Sequence, residues 1–146
     1  MSLLFDFKTI KRLGFGGQGF VSLVVDEKSQ KYYALKKMFC DKKLQTLNFA
    51  LQEAQAVLQL QHEYIVTCHS FFIERTESQE DIVCIVYEYC DSGSLEDVLK
   101  KSRNKKEKIP KMDIIKWIEQ ISHGIMYSHS KSVIHRYKHN KQKNFF

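Results

Sequence analysis

The sequence predicts an α+β fold: a five-stranded antiparallel sheet with one helix, followed by the first helices of an incomplete helical unit. Three observations carry that expectation. Five short segments rich in β-branched and aromatic residues are separated by glycine-rich or polar stretches. Between the third and the fourth, from Asp41 to about Gln61, the period changes. Leu44, Leu47, Leu51, Ala54 and Leu58 recur at alternating three and four, the stripe of an amphipathic helix. Beyond the fifth, Pro110 precedes a long helical pattern in which Ile114, Ile118, Ile121 and Ile125 share a face, with Trp117 beside it.

Bulk properties narrow the class. A chain of 146 residues with 43% hydrophobic and 27% charged content can close one core and is not a disordered polypeptide. No apolar run approaches the roughly 20 residues of a membrane span, so no membrane partner is expected. The start, Met1 to Asp6, has no basic region followed by an apolar core and does not read Met-Gly, so neither a secretory signal nor myristoylation is expected. Cys40, Cys68, Cys84 and Cys90 form no C-x-x-C pair, and His129, His135 and His139 lack zinc-ligand spacing; no metal site is expected. Free thiols in apolar strands point to a reducing, intracellular and cytoplasmic setting. The net charge of +6 is concentrated in Lys100 to Lys108, six basic residues against one acid. Without interleaved aromatics this block does not read as a nucleic-acid contact, and a solvated loop between two helices is expected.

Taken in order, Phe7 to Leu13 is the first expected strand and Phe20 to Val25 the second. Between them Leu13-Gly14-Phe15-Gly16-Gly17-Gln18-Gly19 sets glycines at G-x-G-x-x-G spacing, with Gly17 as an extra. Two ligand-binding architectures use that spacing. A dinucleotide-binding turn opens a helix. Here Phe20 to Val25 is strand-like and Asp26 to Gln30 is a polar turn, so the glycines belong to a hairpin. Glycine there lets backbone approach a phosphate closely. Lys31 to Met38 is the third strand, and Asp41 is the expected N-cap of the helix. Strands near Cys68 to Glu74 and Ile82 to Tyr87 follow, joined by the polar loop Arg75 to Asp81. Ser94 to Lys101 reads as a short helix, with Ser94 and Asp97 at capping-box spacing. The long helix is expected to end near His129, with Val133-Ile134 as a short extended piece.

One lysine stands out. Lys36 lies in an apolar strand, and burying it without a partner would be costly. A solvent-facing strand lysine fits the pattern as well, with Lys37 on the opposite face. If Lys36 faces inward it needs a carboxylate, and between Lys42 and His62 the only acid is Glu53.

At this point the chain resembles the N-terminal lobe of a eukaryotic-type protein kinase. The resemblance rests on the glycine loop, Ala34-Leu35-Lys36, Glu53, His62-Glu63-Tyr64-Ile65-Val66, Ile85-Val86-Tyr87-Glu88-Tyr89-Cys90, Gly93-Ser94-Leu95 and Ile134-His135-Arg136. They occur in the family's order across residues 7 to 136. Glu88-Tyr89-Cys90-Asp91, Gln120-Ile121 and Tyr127-Ser128-His129 are closest to serine/threonine kinases of the NIMA-related branch. The resemblance implies ATP as ligand, with Mg2+. Leu13, Val21 and Ala34 would sandwich adenine, and backbone groups of Glu88 and Cys90 would read its edge. Tyr87 would gate the pocket behind the nucleotide. Loop amides from Gly14 through Phe15, Gly16, Gly17 and Gln18 to Gly19 would cradle phosphates, Lys36 would hold the α- and β-phosphates, and Glu53 would orient Lys36. Gln18 departs from the family, which often has an aromatic at the loop tip.

After Arg136 the likeness stops. The family places an aspartate next to His-Arg, and here that position is Tyr137. A phenol with a pKa near 10 is protonated at neutral pH and cannot serve as the base. His139 stands where the family has lysine, Gln142 where an asparagine holds metal, and no Asp-Phe-Gly follows. No catalytic residue set is intact and no metal ligand is expected, although His135 and Arg136 remain. So abrupt a break reads as a change of reading frame or a splice end. The expected organisation is a nucleotide-binding lobe over residues 1–90, the start of a helical lobe over 91–136, and an aberrant basic tail over 137–146. The expected function is that of a protein serine/threonine kinase by family, catalytically incomplete as given. The alternative is a non-enzymatic interaction module. An uncovered Ile114, Ile118, Ile121 and Ile125 face would favour self-association.

Overall fold

The computed structural model describes residues 6–16, 19–41 and 44–134. Its elements run β1 (Phe7–Gly16), β2 (Gly19–Asp26), β3 (Tyr32–Phe39), α1 (Leu44–Leu58), β4 (Cys68–Arg75), β5 (Asp81–Glu88), α2 (Leu95–Lys105) and α3 (Lys111–Ser130). The strands form one sheet in the order β1-β2-β3-β5-β4, each pair antiparallel. The expected α+β class, five strands with one helix and then further helices, is what the chain adopts.

Antiparallel partners share a face of the sheet. On one face Met38, Val83 and Ile85 pack with Ala50 and Ala54 of α1, joined by Leu47, Leu51 and Val57. On the other, Val24, Leu35, Ile82, Cys84 and Val86 gather with Phe7, Tyr33 and Phe72. β5 is therefore covered on both sides, which is why residues 82–86 are an unbroken apolar run rather than an alternating one. The thiols of Cys68 and Cys84 are pushed up by burial, to about 11 and about 12, and stay protonated at neutral pH.

Several boundaries differ from the sequence pattern for physical reasons. β1 continues to Gly16 because Gly14, Phe15 and Gly16 pair with Val21, Phe20 and Gly19, while ladder irregularities leave Ile10 and Leu13 without opposite partners and disturb its alternation. α1 is described from Leu44, and the Asp41 carboxylate accepts a hydrogen bond from the Thr46 hydroxyl in its first turn; residues 42 and 43, on which the expected N-cap depends, lie outside the described residues. α2 begins as expected, with the Asp97 N–H donating to Ser94 Oγ at 3.2 Å and the Ser94 N–H donating to Asp97 Oδ2 at 2.9 Å. The Ser94 hydroxyl, donating to the same Oδ2 at 2.7 Å, and then the Ser94 N–H hold the Asp97 carboxyl below the usual carboxylate range.

The basic block is not the loop it was expected to be. Residues 100–105 are the last turns of α2, helical and, apart from half-buried Ser102, exposed. Lysine and arginine are good helix formers, and Glu96 pairs with Lys100 one turn on at 2.9 Å. The helix stops where Lys106 turns left-handed (φ 55), with its N–H on Arg103 O and the Glu107 N–H on Ser102 O, each at 3.1 Å. Val133, in the short piece expected beyond α3, closes the helix end. Its N–H reaches Ser128 O at 2.9 Å, after Ser132 adopts φ 58.

α3 docks onto the connection between α1 and β4. Gly124 is buried there, and an added Cβ would lie 3.1 Å from Tyr64 O. Around it the rings of Tyr127 and His62 sit 5.0 Å apart, His62 and Tyr64 5.5 Å, and Tyr64 and His123 6.3 Å. The Tyr127 hydroxyl accepts the Gln61 N–H at 3.3 Å.

Candidate nucleotide-binding cleft

β1 and β2 close as a hairpin, with Gly16 opposite Gly19; Gly17 and Gln18 lie outside the described residues. Strand, loop, strand is thus the local structure, and the helix that a dinucleotide turn requires is not formed. Gly19 adopts φ 155, and a Cβ there would stand 1.8 Å from the Lys37 carbonyl oxygen. Only glycine lets the returning strand lie so close to β3. Gly19→Ala is therefore expected to push the hairpin off β3, costing roughly 1–3 kcal/mol by overpacking and weakening nucleotide binding. Urea denaturation of the variant checks it, and unchanged stability would contradict the close approach.

The register then places the expected side chains. Gly14 is opposite Val21, Val21 opposite Lys36, and Lys36 opposite Ile85. In a neighbouring row Leu23, Ala34, Tyr87 and Cys68 align. Val21, Ala34, Lys36 and Tyr87 consequently share the face that α1 covers. Leu13 and Gly14 are half-buried in β1, and Phe15 at the tip is 63% exposed. The turn that sets the β2–β3 register is tied by Asp26. Its carboxylate accepts the Asp6 and Ser29 N–H groups, both at 3.1 Å, and the Ser29 hydroxyl, which holds it below the usual range.

Lys36 Nζ makes a hydrogen-bonded ion pair with Glu53 Oε1 of α1. Of the two readings left open for this lysine, solvent-facing or partnered, the structure takes the second. The side chains are 29% and 36% exposed, so the pair sits at the edge of the core, within reach of a ligand. Lys37, on the opposite face, pairs with Glu74 Oε2 at 2.6 Å, a contact the sequence pattern did not reveal. Its signal lies in the strand order: Lys37 is opposite Cys84, and Phe72, two residues from Glu74, is opposite the same Cys84.

Tyr87 packs against the α1-side core, and its hydroxyl is pushed up from the ordinary value, first by burial and then by the Glu53 carboxylate. Glu88 is held twice by Thr67: its N–H donates to Thr67 O at 2.9 Å, and its carboxylate accepts the Thr67 N–H at 2.7 Å. With that N–H engaged, the carbonyl is the Glu88 backbone group left to read a ligand edge. Cys90 follows β5 at the exposed surface. His135, Arg136, Tyr137, His139 and Gln142 lie outside the described residues. Among the described residues, no group of three or more metal-ligating side chains is gathered, and no helix is long and apolar enough to cross a membrane.

A hairpin of glycines over a lysine–carboxylate pair defines the class of protein. The family model of the protein kinase domain matches residues 7–145, continuing past Arg136, and the chain belongs to that family. Among its relatives, the human serine/threonine-protein kinase Nek11 is 33% identical over 141 residues, covering 93% of this chain and 21% of the relative. Mouse serine/threonine-protein kinase Nek4 is 32% identical, covering 85% of this chain and 15% of the relative. Mitogen-activated protein kinase kinase 1 of Arabidopsis thaliana is 31% identical, covering 91% and 35%. The chain thus spans between 15% and 35% of the length of these three relatives. Two of them are Nek kinases, the branch the sequence resembles.

Proposed function

We propose that the cleft binds ATP in the manner of a protein serine/threonine kinase, with Lys36 on the α- and β-phosphates and Glu53 orienting Lys36. The observation that carries this is the Lys36–Glu53 pair, on the same sheet face as Val21 and Ala34 and beside the glycine hairpin. Leu13, Val21 and Ala34 supply apolar surface for adenine. The Glu88 carbonyl and the Cys90 backbone meet its edge, Tyr87 narrows the space behind it, and backbone N–H groups from Gly14 to Gly19 face the phosphates. Bound ATP would supply the transferable phosphoryl group; the chain's own residues bind and orient it. Mg2+ accompanies ATP in the family, and Gln142 occupies one of its ligand positions.

Phosphoryl transfer is a separate matter. Tyr137 stands at the base position and is protonated at neutral pH, so the 146-residue chain is expected to hold nucleotide without transferring phosphate. Calorimetric titration with ATP and with adenosine tests the reading. ATP is expected to bind at least about tenfold more tightly, because charge-assisted hydrogen bonds to phosphate are each stronger than neutral ones. Equal affinities would overturn the assignment of the phosphates to Lys36. Incorporation of labelled phosphate into any acceptor protein would overturn the assignment of Tyr137.

The same reading divides the chain into a nucleotide-binding lobe (1–90), the start of a helical lobe (91–136) and a basic tail (137–146), in an intracellular, cytoplasmic protein with free thiols.

A second reading, an interaction module, draws on α3. Ile114, Ile118, Ile121 and Ile125 are between 42% and 60% exposed and form one stripe. A stripe of that kind can meet its own copy across a two-fold axis. We expect the 146-residue chain to self-associate through it and Ile118→Glu to shift it toward monomer in sedimentation velocity. A monomeric parent chain would contradict this.

A further inference from the structure

α2, the turn after it and the start of α3 enclose a groove that includes none of the residues of the nucleotide cleft. Val98, Ile109 and Trp117 give it an apolar lining, and Lys101, Lys105 and Lys108 stand around it. Lys101 and Lys105 are one helical turn apart, so α2 presents them side by side. Lys100 is paired with Glu96, but Lys101, Lys105 and Lys108 join no ion pair among the described residues. Two acids, Glu107 and Asp113, also border the groove, leaving three lysines against two carboxylates there. The surrounding block is more one-sided: residues 100–108 carry six basic residues against one acid.

The groove is also held in shape. The Ser102 hydroxyl donates to Glu107 O at 2.6 Å, the Glu107 N–H donates to Ser102 O at 3.1 Å, and the Asp113 N–H donates to Pro110 O at 3.0 Å. Both ends of the turn are therefore fixed before any ligand arrives, which lowers the ordering cost of binding. A positive rim calls for a negative occupant, and an apolar lining calls for an apolar anchor. Single-stranded nucleic acid would need successive rings on which to stack its bases, and this lining offers one, Trp117. An acidic polypeptide with a single aliphatic or aromatic anchor answers both features.

We propose that this groove docks an acidic segment of a protein partner, its anchor seated on Trp117 and its carboxylates on Lys101, Lys105 and Lys108. Trp117 is the chain's single tryptophan, so its fluorescence reports on the groove directly. The full 146-residue chain is titrated with a synthetic peptide of glutamates flanking a single leucine. Controls are the same peptide with lysines for glutamates and a single-stranded oligouridylate. The glutamate peptide is expected to change the emission saturably, to bind more weakly as salt screens the rim charges, and to lose at least about tenfold in affinity for K101E/K105E. Both lysines are exposed and outside the core, so circular dichroism of that variant is expected to match the parent. No saturable change, equal binding by the double variant, or equal binding of the lysine peptide would each overturn the proposal. So would displacement of the glutamate peptide by the oligouridylate at lower concentration, which would make the groove a nucleic-acid contact.

Discussion

Lys36→Ala is expected to weaken ATP binding by about ten- to a hundredfold while leaving the fold and the affinity for adenosine nearly unchanged. Two magnitudes separate those effects. A half-exposed ion pair contributes only about 0–1 kcal/mol to stability once solvent screening is counted, and Lys36 and Glu53 are 29% and 36% exposed. A hydrogen bond to a charged group contributes about 1.5–3 kcal/mol, which corresponds to ten- to a hundredfold in affinity. Glu53→Gln should weaken ATP less, because the lysine remains but loses its orienting charge. In the Lys36→Ala background Glu53→Gln should add nothing further, since the carboxylate acts through the lysine. Calorimetry on the four chains of that cycle provides the check. If adenosine affinity fell in parallel with ATP affinity, Lys36 would be acting through the structure rather than on phosphate.

Ile85→Ala carries the largest expected stability loss. Ile85 has 0% exposure, lies opposite Lys36 on β3 and Phe71 on β4, and belongs to the cluster covered by α1. Truncating such a side chain removes its transfer free energy and leaves a cavity, at a cost of about 2–5 kcal/mol. A domain of ordinary stability has only about 5–15 kcal/mol in hand. The variant is therefore expected to unfold at much lower urea concentration and to fail to bind nucleotide for that reason. A loss below about 1 kcal/mol would mean the core collapses around the gap more readily than packed interiors do.

Much of the cleft could be read from the residues because its parts are local or nearly unique. Glu53 was legible as a partner because α1 holds no other acid, and Ser94 with Asp97 because a capping box is defined by spacing alone. The five strands were legible from composition, but not their order. β5 lies between β3 and β4, and the Lys37–Glu74 pair depends on that insertion. A linear pattern holds no record of which strand inserts where. The extent of α2 was hidden for a different reason. Its last turns lack apolar periodicity since one side faces solvent, and its stop is a left-handed lysine where glycine would have been the usual mark. Trp117 could be placed beside the isoleucine face, but only the turn geometry shows that it also lines a groove with three lysines.

The ring contacts that seat α3 on the connection after α1 have a mechanical consequence for the cleft. The far end of α1, at Leu58, runs into the segment whose His62 and Tyr64 rings meet Tyr127 and His123 of α3. Glu53 sits five residues back from that end, a lever arm of about 7–8 Å at 1.5 Å per residue. A swing of roughly 15° about Leu58 would carry the Glu53 carboxylate about 2 Å, enough to part a hydrogen-bonded pair. Because α1 is also packed along its length on β4 and β5, the seat of α3 on the segment beyond Leu58 is one of the contacts that keep the Glu53 side of the pair in place.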